Sequence, residues 1–311
     1  MNMIGNSELS VFPLCLGTNI FGWTADQRQA FEVLDAFTGG GGDFLDTADS
    51  YSAWIPGHSG GESETIIGAW MASRGTRDDV VLATKVGGLP GRKGLSGPNI
   101  RMACEDSLRR LGTDHIDLYW AHYDDPETPI GETLEAFDTL IREGKVRYIG
   151  ASNFGPERLA ESLQISRREG LASYIALQQH YNLVERELYE GPLAKVVADN
   201  GLSSIPYYGL ARGFLTGKYR TGSVVESARA AGAAPYLESE RALAVLEALD
   251  EIAEARDVEV AAIALAWLAA QPTVAAPIAS ARSVEQVSAL LDSAELTLSE
   301  AELVLLNAAS A

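Results

Sequence analysis

The strongest constraint on the fold of this chain is a repeated alternation between short apolar segments and longer amphipathic ones. Apolar segments of about four to eight residues, bounded by turn formers, are typical of strands buried on both faces of a parallel sheet. Eight strands are predicted, at residues 13–17, 43–47, 80–86, 116–122, 146–152, 174–178, 202–207 and 273–279. Residues 4–9, which precede the first of them, are typical of a hairpin.

The segments between the strands carry apolar residues at helical spacing. Several also carry boundary signals, such as Pro98 at the start of one segment and Gly112 after its end. Helices are predicted at residues 27–37, 62–72, 98–111, 129–143, 156–168, 192–200, 239–256, 260–270 and 284–291, with an extra C-terminal helix at 299–308. Eight strand–helix repeats predict an α/β fold, a parallel eight-stranded (β/α)8 TIM barrel forming a single domain over residues 1–311.

Glycine-rich stretches interrupt this pattern without changing the predicted fold. The run of glycines at residues 39–42 lacks the G-x-G-x-x-G spacing of a dinucleotide-binding sheet and precedes a strand, so it is interpreted as a turn. Two long loops, at residues 87–97 and 220–238, are rich in small residues. Loops of that length in a compact domain tend to be lids or disordered segments.

The net charge, the hydrophobic segments and the cysteines of the chain limit the kinds of molecule that it can be expected to bind. A net charge of −19 leaves no basic surplus to neutralise the phosphates of a nucleic acid. The most apolar segment, residues 260–270, is shorter than the roughly 20 residues that span a bilayer, and the chain does not open with a secretory leader pattern. Cys15 and Cys104 lack metal-type spacing and are predicted to be reduced, partly buried thiols. We therefore expect a cytoplasmic protein with no membrane or nucleic-acid partner, whose oligomeric state the sequence leaves open.

Polar side chains recur where the predicted strands end. Asp46 and Tyr51 follow the second strand, Lys85 ends the third and His122 ends the fourth. Later strand ends supply further hydrogen-bonding side chains, namely Ser152, Asn153, Gln178, Tyr207, Ser280 and Arg282. Because the carboxyl ends of barrel strands meet at one rim, these groups are expected to share one site.

The chemistry of such a rim suits the reduction of a carbonyl group. A phenol has a reference pKa of about 10, and a neighbouring ammonium stabilises the phenolate. Lys85 is expected to lower the pKa of Tyr51 in this way, with Asp46 holding the ammonium and His122 donating to the same carbonyl oxygen. A proton donor aimed at an oxygen that becomes an alkoxide suits hydride addition. Since no side chain supplies a hydride, a nicotinamide cofactor is implied.

Longer motifs carry a resemblance to a known family. Asp46-Thr47-Ala48 with Tyr51, Thr84-Lys85, and His122 within residues 118–126 resemble the Asp, Tyr, Lys and His tetrad of the aldo-keto reductases. The resemblance continues through residues 144–154, 178–183, 210–219 and 278–286, and so covers essentially the whole chain. It implies a barrel that binds NADPH across its C-terminal face and transfers a hydride to an aldehyde or ketone. Tyr51 would be the general acid, Lys85 would tune it, Asp46 would orient Lys85, and His122 would position the carbonyl.

The same resemblance implies the residues that bind NADPH. They are Ser152, Asn153 and Gln178 at the carboxamide, Tyr207 stacked on the nicotinamide ring, Leu210, Arg212, Gly213, Thr216 and Lys218 along the pyrophosphate, and Ser280, Arg282 and Gln286 at the adenosine end. Arg282 would bind the 2′-phosphate, which a guanidinium can bond bidentately. The chain has Ser280 where the family often has Gly and Leu290 where it often has Asn, which leaves the adenine contacts open.

The substrate and two other functions stay open. Trp23, Trp54, Tyr123 and Phe214 are candidates for lining a substrate pocket, which would suit small aldehydes, aryl aldehydes or keto-sugars. A metal-dependent barrel hydrolase needs clustered His and carboxylate ligands. Four scattered histidines with no His-x-His pair disfavour it, so no metal is predicted. The second alternative is an NADPH-binding barrel with a redox-sensing or regulatory role and little turnover.

Overall fold

The computed structural model describes residues 1–220 and 230–311, and its centre is a sheet of eight parallel strands. Along the chain these strands are β3 (Cys15–Gly17), β4 (Phe44–Asp46), β5 (Val81–Val86), β6 (Ile116–Ala121), β7 (Val146–Ser152), β8 (Tyr174–Gln178), β9 (Ser203–Ser204) and β10 (Ile278–Ala279). Their spatial order is β10-β3-β4-β5-β6-β7-β8-β9, so each strand pairs with its neighbour in sequence and the last returns to the first. An antiparallel hairpin of β1 (Asn2–Met3) and β2 (Ser10–Val11) precedes them, as predicted.

Helices follow most strands, and their ends are set by the expected local signals. They are α1 (Gln27–Gly39), α2 (Glu62–Arg74), α3 (Gly97–Leu111), α4 (Ile130–Arg142), α5 (Pro156–Glu169), α6 (Pro192–Asp199), α7 (Ala230–Ala233), α8 (Glu240–Arg256), α9 (Val260–Ala269), α10 (Val284–Glu295) and α11 (Glu300–Ala309). Asp26 and Gln29 form a capping box at α1, and Gly112 ends α3 in the left-handed conformation. None of the described helices combines the length and apolar character needed to cross a membrane.

The barrel closes through a segment that the sequence predicted as one continuous strand. Of residues 273–279, Val274 bridges Ser204 of β9, whereas Ile278 and Ala279 pair with β3 on the other side. The amide of Ala275 also donates to the Ser204 carbonyl at 3.0 Å. The predicted strands at 202–207 and 273–279 therefore form only short ladders. Pro206 and Pro277 interrupt them because proline has no amide hydrogen to donate.

Packed side chains fill the barrel interior, and the hairpin covers its amino-terminal end. The interior cluster comprises Cys15, Phe44, Ala83, Leu118, Trp120, Ala176, Ile205, Ala276 and Ile278, together with Ile4, Leu9 and Val11 of the hairpin segment. Gly150 lies opposite Trp120 on the neighbouring strand, and a Cβ there would come within 2.3 Å of the indole ring. The large Trp120 side chain therefore fits in the barrel only because Gly150 has no side chain. Both cysteines are free, as expected, and both are buried.

The first of the two predicted long loops is confirmed, whereas the described part of the second is largely helical. Residues 87–96 form a loop without helix or strand between β5 and α3, as predicted. In the second, residues 221–229 lie outside the described part of the chain, and the remainder is not an open loop. Residues 230–238 form α7 and a short 3-10 helix, and Tyr236 packs on Phe214 with a ring-centroid distance of 5.3 Å. Because Phe214 is fully buried, its contact with Tyr236 packs residues 230–238 against the hydrophobic core.

Candidate functional site

A cavity of about 770 Å³ opens at the carboxyl ends of the barrel strands. Loops after nearly every strand contribute to its lining, as expected for a barrel whose strand ends converge on one rim. Every residue predicted to bind a cofactor lines this cavity, and so do Asp46, Tyr51 and His122. Polar groups that are far apart in sequence therefore meet at one place.

Lys85 lies beneath the cavity floor, where its side chain is 1% exposed. Its ammonium donates to the Asp46 carboxylate, to the Thr47 carbonyl oxygen at 2.8 Å and to the Tyr51 phenol oxygen at 2.9 Å. These three bonds use all the hydrogens of the ammonium. The Tyr51 hydroxyl accepts from Lys85 and donates to Asp46 Oδ2 over 3.5 Å. A bond that long is weak, so the hydroxyl hydrogen can turn instead to an oxygen of a molecule in the cavity.

Burial determines the protonation states of Tyr51 and His122. It raises the pKa of Tyr51 well above its usual range, and the Asp46 carboxylate raises it further. The net pKa of Tyr51 is therefore raised, whereas the sequence analysis considered only the lowering that Lys85 would cause and left out the desolvation of the phenolate. Burial also lowers the pKa of His122 well below its usual range, and Lys85 lowers it further. The site thus holds a protonated phenol and a neutral imidazole at neutral pH.

A second network joins the amide side chains beside this floor. Gln178 Nε2 donates to Asp46 Oδ1 at 3.0 Å, so Asp46 bonds both Lys85 and Gln178. Asn153 Nδ2 donates to the His122 carbonyl oxygen at 3.0 Å, and the Tyr207 hydroxyl donates to Asn153 Oδ1 at 2.7 Å. Asn153 has a φ of 58°, in the left-handed region that Asn tolerates better than most residues. The amides and the Tyr207 ring are therefore held in fixed orientations.

Three cationic side chains line the cavity. Arg212, Lys218 and Arg282 are exposed, and within the described residues none of them forms an ion pair. Arg212 lies 4.8 Å from the centroid of the Tyr208 ring, and Gln286 Oε1 accepts from the Arg282 amide at 3.0 Å. In a chain with a net charge of −19, three unneutralised cations along one cavity wall are suited to phosphate groups.

The aromatic candidates for a substrate pocket divide into two groups. Trp54 and Tyr123 line the cavity and are each 50% exposed. Trp23 does not line it and instead packs edge-on against Trp54, with centroids 5.7 Å apart. Phe214 is fully buried, so its prediction as a pocket residue is wrong. Its position in a tight 3-10 turn directs the ring into the hydrophobic core, which the loop sequence does not reveal.

Other residues line the cavity although the sequence analysis did not select them. Asn19, Ser50 and Tyr208 lie in the same strand-end loops, and Glu259 immediately precedes α9. Asn19 accepts a hydrogen bond from the Ser280 hydroxyl at 2.9 Å. Strand-end position, the signal that selected Tyr207, would also have selected Asn19 and Tyr208. Across residues 1–220 and 230–311, no three His, Cys, Asp or Glu side chains are grouped as metal ligands.

Comparison with known proteins adds independent information. The sequence model of the Aldo/keto reductase family matches residues 13–311. The chain is 37% identical over 313 residues to "Uncharacterized oxidoreductase YrpG" of Bacillus subtilis, covering 98% of this chain and 94% of that protein. It is 31% identical to "Norsolorinic acid reductase B" of Aspergillus parasiticus, covering 95% and 80% respectively. It is also 32% identical to "Probable voltage-gated potassium channel subunit beta" of Oryza sativa subsp. japonica, covering 91% and 88%.

Proposed function

The chain belongs to the aldo/keto reductase family, and from that premise we propose that it is an NADPH-dependent reductase of aldehydes or ketones. Membership supports an oxidoreductase in general terms, and the finer assignment rests on the cavity floor. The observation that carries it is the buried Lys85 ammonium, which bonds both the Asp46 carboxylate and the Tyr51 phenol. A family match that spans residues 13–311 also supports one domain over the chain.

Tyr51 is the general acid in this proposal. Its raised pKa keeps the phenol protonated, so that it can donate a hydrogen bond to the carbonyl oxygen of a bound substrate. As that oxygen becomes an alkoxide, it takes the phenol proton. The Lys85 ammonium, 2.9 Å from the phenol oxygen, then stabilises the phenolate that remains. Asp46 holds the ammonium in place, and the neutral His122 ring directs the carbonyl from the other side.

The cavity lining fits NADPH, whose nicotinamide supplies the hydride when it is bound. Gln178 donates its amide hydrogen to Asp46 and so keeps its amide oxygen free for the carboxamide group. Ser152 and Asn153 lie on the same wall, and Tyr207 offers its ring for stacking. The loop of Leu210, Arg212, Gly213, Thr216 and Lys218 would hold the pyrophosphate, and Ser280, Arg282 and Gln286 the adenosine end.

The cavity lining near Tyr51 favours an aromatic carbonyl compound. Trp54 meets the Tyr51 ring edge-on at 6.4 Å, Tyr123 stacks on His122 at 4.4 Å, and both aromatic side chains are 50% exposed. Aromatic rings bind flat aromatic substrates by offset or edge-on stacking. We therefore expect aryl aldehydes and aryl ketones to be better substrates than sugars.

NADPH oxidation by the purified protein tests the proposed function. We expect turnover with aryl aldehydes and aryl ketones, weaker turnover with keto-sugars, and saturable binding of NADPH in the absence of substrate. Steady-state rates over a panel of carbonyl compounds would rank the substrates. Absence of NADPH binding would refute the proposal. Tight binding with negligible turnover across the panel would favour a regulatory barrel, the function suggested by the name of the potassium channel subunit relative.

Arg282→Ala is expected to weaken NADPH binding about tenfold to a hundredfold while leaving NADH binding nearly unchanged, because a charged hydrogen bond to the 2′-phosphate is lost. Dissociation constants for the two cofactors, measured by quenching of protein fluorescence, would check this. The matched control is Arg101→Ala, which removes an exposed arginine of α3 outside the cavity. An equal loss for both cofactors would show that Arg282 does not contact the 2′-phosphate.

A further inference from the structure

We propose that Ser50 sets the tautomer of His122, so that the imidazole keeps its proton on Nε2 and offers it to the carbonyl oxygen. Ser50 is in this sense a positioning residue that acts through His122. The inference rests on the proposed reductase function for its catalytic consequence, although the tautomer itself can be measured without any turnover. Neither the strand-end pattern nor the tetrad selects Ser50.

The geometry places the Ser50 hydroxyl beside one ring nitrogen. Ser50 Oγ lies 3.5 Å from His122 Nδ1, and both residues line the cavity floor. The His122 ring has little freedom to turn away. It stacks on Tyr123 with centroids 4.4 Å apart and an interplanar angle of 12°, and it meets the Tyr51 ring edge-on at 6.3 Å. The hydroxyl and Nδ1 are therefore held facing each other.

The direction of this hydrogen bond follows from what else is available to the two groups. A neutral imidazole carries one hydrogen, and the nitrogen that lacks it is an acceptor. Ser50 is only 9% exposed, and His122 Nδ1 is the one partner of its hydroxyl in the described part of the chain. If Nδ1 carried the hydrogen and donated to Ser50, the hydroxyl hydrogen would have no acceptor among the described protein groups. Leaving a buried donor unpaired is costly, so the serine donates and Nδ1 accepts.

Burial keeps His122 in the neutral form that this arrangement requires. Both the desolvation of the ring and the nearby Lys85 ammonium lower the pKa of His122, as described above. With Nδ1 acting as acceptor, the single ring hydrogen is on Nε2. Nε2 has no hydrogen-bond partner in residues 1–220 and 230–311. That hydrogen is then free to bond the oxygen of a substrate in the cavity.

Gly88 leaves the space that the pair needs. A Cβ at this position would lie 2.7 Å from His122 Nδ1 and 3.1 Å from Ser50 Oγ. Contacts below about 3 Å are essentially never made by real Cβ atoms, so any side chain at Gly88 would push the two groups apart. Gly88→Ala therefore disturbs the same hydrogen bond from the other side while Ser50 is still present.

Nitrogen-15 NMR of histidine-labelled protein tests the proposal directly. Protonated and unprotonated ring nitrogens have well-separated resonances, and the chain has only four histidines. The signals of His122 are identified by their loss in His122→Gln. In the wild-type protein we expect an unprotonated Nδ1 and a protonated Nε2. A protonated Nδ1 in the wild-type protein would overturn the proposal.

Three variants complete this experiment. Ser50→Ala and Gly88→Ala are both expected to shift the Nδ1 resonance and to populate the other tautomer. Ser59→Ala makes the same chemical change at an exposed serine in the same loop, and it should leave the His122 signals unchanged. His122 signals in Ser50→Ala that are identical to those of the wild type would overturn the proposal, because Nδ1 would then have no need of the hydroxyl.

Kinetics of the same variants connect the tautomer to catalysis. Ser50→Ala is expected to lower kcat/KM for a carbonyl substrate about fivefold, the factor that one neutral hydrogen bond supports, with no change in the dissociation constant of NADPH. A shifted tautomer without any rate change would refute the catalytic role of Ser50. If no carbonyl compound is turned over at all, the proposed function fails, and the NMR result still decides the tautomer independently.

Discussion

Tyr51→Phe is expected to lower kcat for carbonyl reduction by roughly 10²- to 10⁴-fold, the range that a positioned general acid contributes. Phenylalanine keeps the ring and its packing but has no proton to give to the developing alkoxide. The Lys85 ammonium, which donates to the phenol oxygen at 2.9 Å, would lose that acceptor and keep Asp46 and Thr47. Steady-state kinetics with the best aryl substrate would measure the effect, and the affinity for NADPH is expected to change little.

A control variant and the affinity for NADPH show whether Tyr51 is the proton donor. Tyr148→Phe removes a phenol hydroxyl whose one hydrogen bond to the described residues is a 3.3 Å bond accepted from the Glu8 amide, and it should leave kcat unchanged. If Tyr51→Phe kept turnover within a few-fold of the wild type, another group would be the proton donor. If NADPH binding were lost together with turnover, Tyr51 would be supporting the structure of the cavity and not protonating the substrate.

Asp49→Asn is expected to gain about 4 kcal/mol in the free energy of unfolding over the wild type as the pH rises from 4 to 8. Asp49 is 1% exposed, and neither of its carboxylate oxygens has a hydrogen-bond partner in the described residues. Burial, and after it the Glu64 carboxylate, raise the pKa of Asp49 to about 7, against the opposing charges of Arg110, Arg92 and Lys85. The folded protein therefore resists an ionisation that the unfolded chain undergoes near pH 4.

The pH dependence has a definite sign. Because the pKa of Asp49 is raised on folding, its protonated form is favoured in the native state. The associated stability is fully present below about pH 4, and it is lost as the pH rises to about 7. The gain from Asp49→Asn should thus be near zero at pH 4 and reach its full size above pH 7. Urea denaturation at several pH values would measure this difference.

An exposed aspartate provides the control for the Asp49 measurement. Asp78→Asn changes the same carboxylate to the same amide on the surface, and it should alter the stability little at any pH in this range. An identical pH dependence for wild-type protein and Asp49→Asn would mean that the buried carboxylate is already compensated in the folded state. The raised pKa of Asp49 would then be refuted.

Much of the fold could be predicted because the signals are local. Strands such as 146–152 and 174–178 are rich in aliphatic and aromatic residues because most of their side chains are buried, and the structure has these two strands at the predicted bounds. Helix ends at Gly112 and Pro156 follow from the backbone properties of glycine and proline. The strand pairing near Pro206 and Pro277 was predicted less well, because closure of the barrel depends on residues distant in sequence.

The sequence by itself determined the alternation of strands and helices and the strand-end positions of Asp46, Tyr51, Lys85 and His122, since both depend on spacing along the chain. Only the tertiary structure decided how burial acts on these groups. Desolvation raises the pKa of Tyr51 despite the neighbouring ammonium. Likewise, the core position of the Phe214 ring and the contact of Ser50 with His122 depend on which side chains the fold brings together. Burial and contact are properties of the packed chain, and no local pattern of residues specifies them.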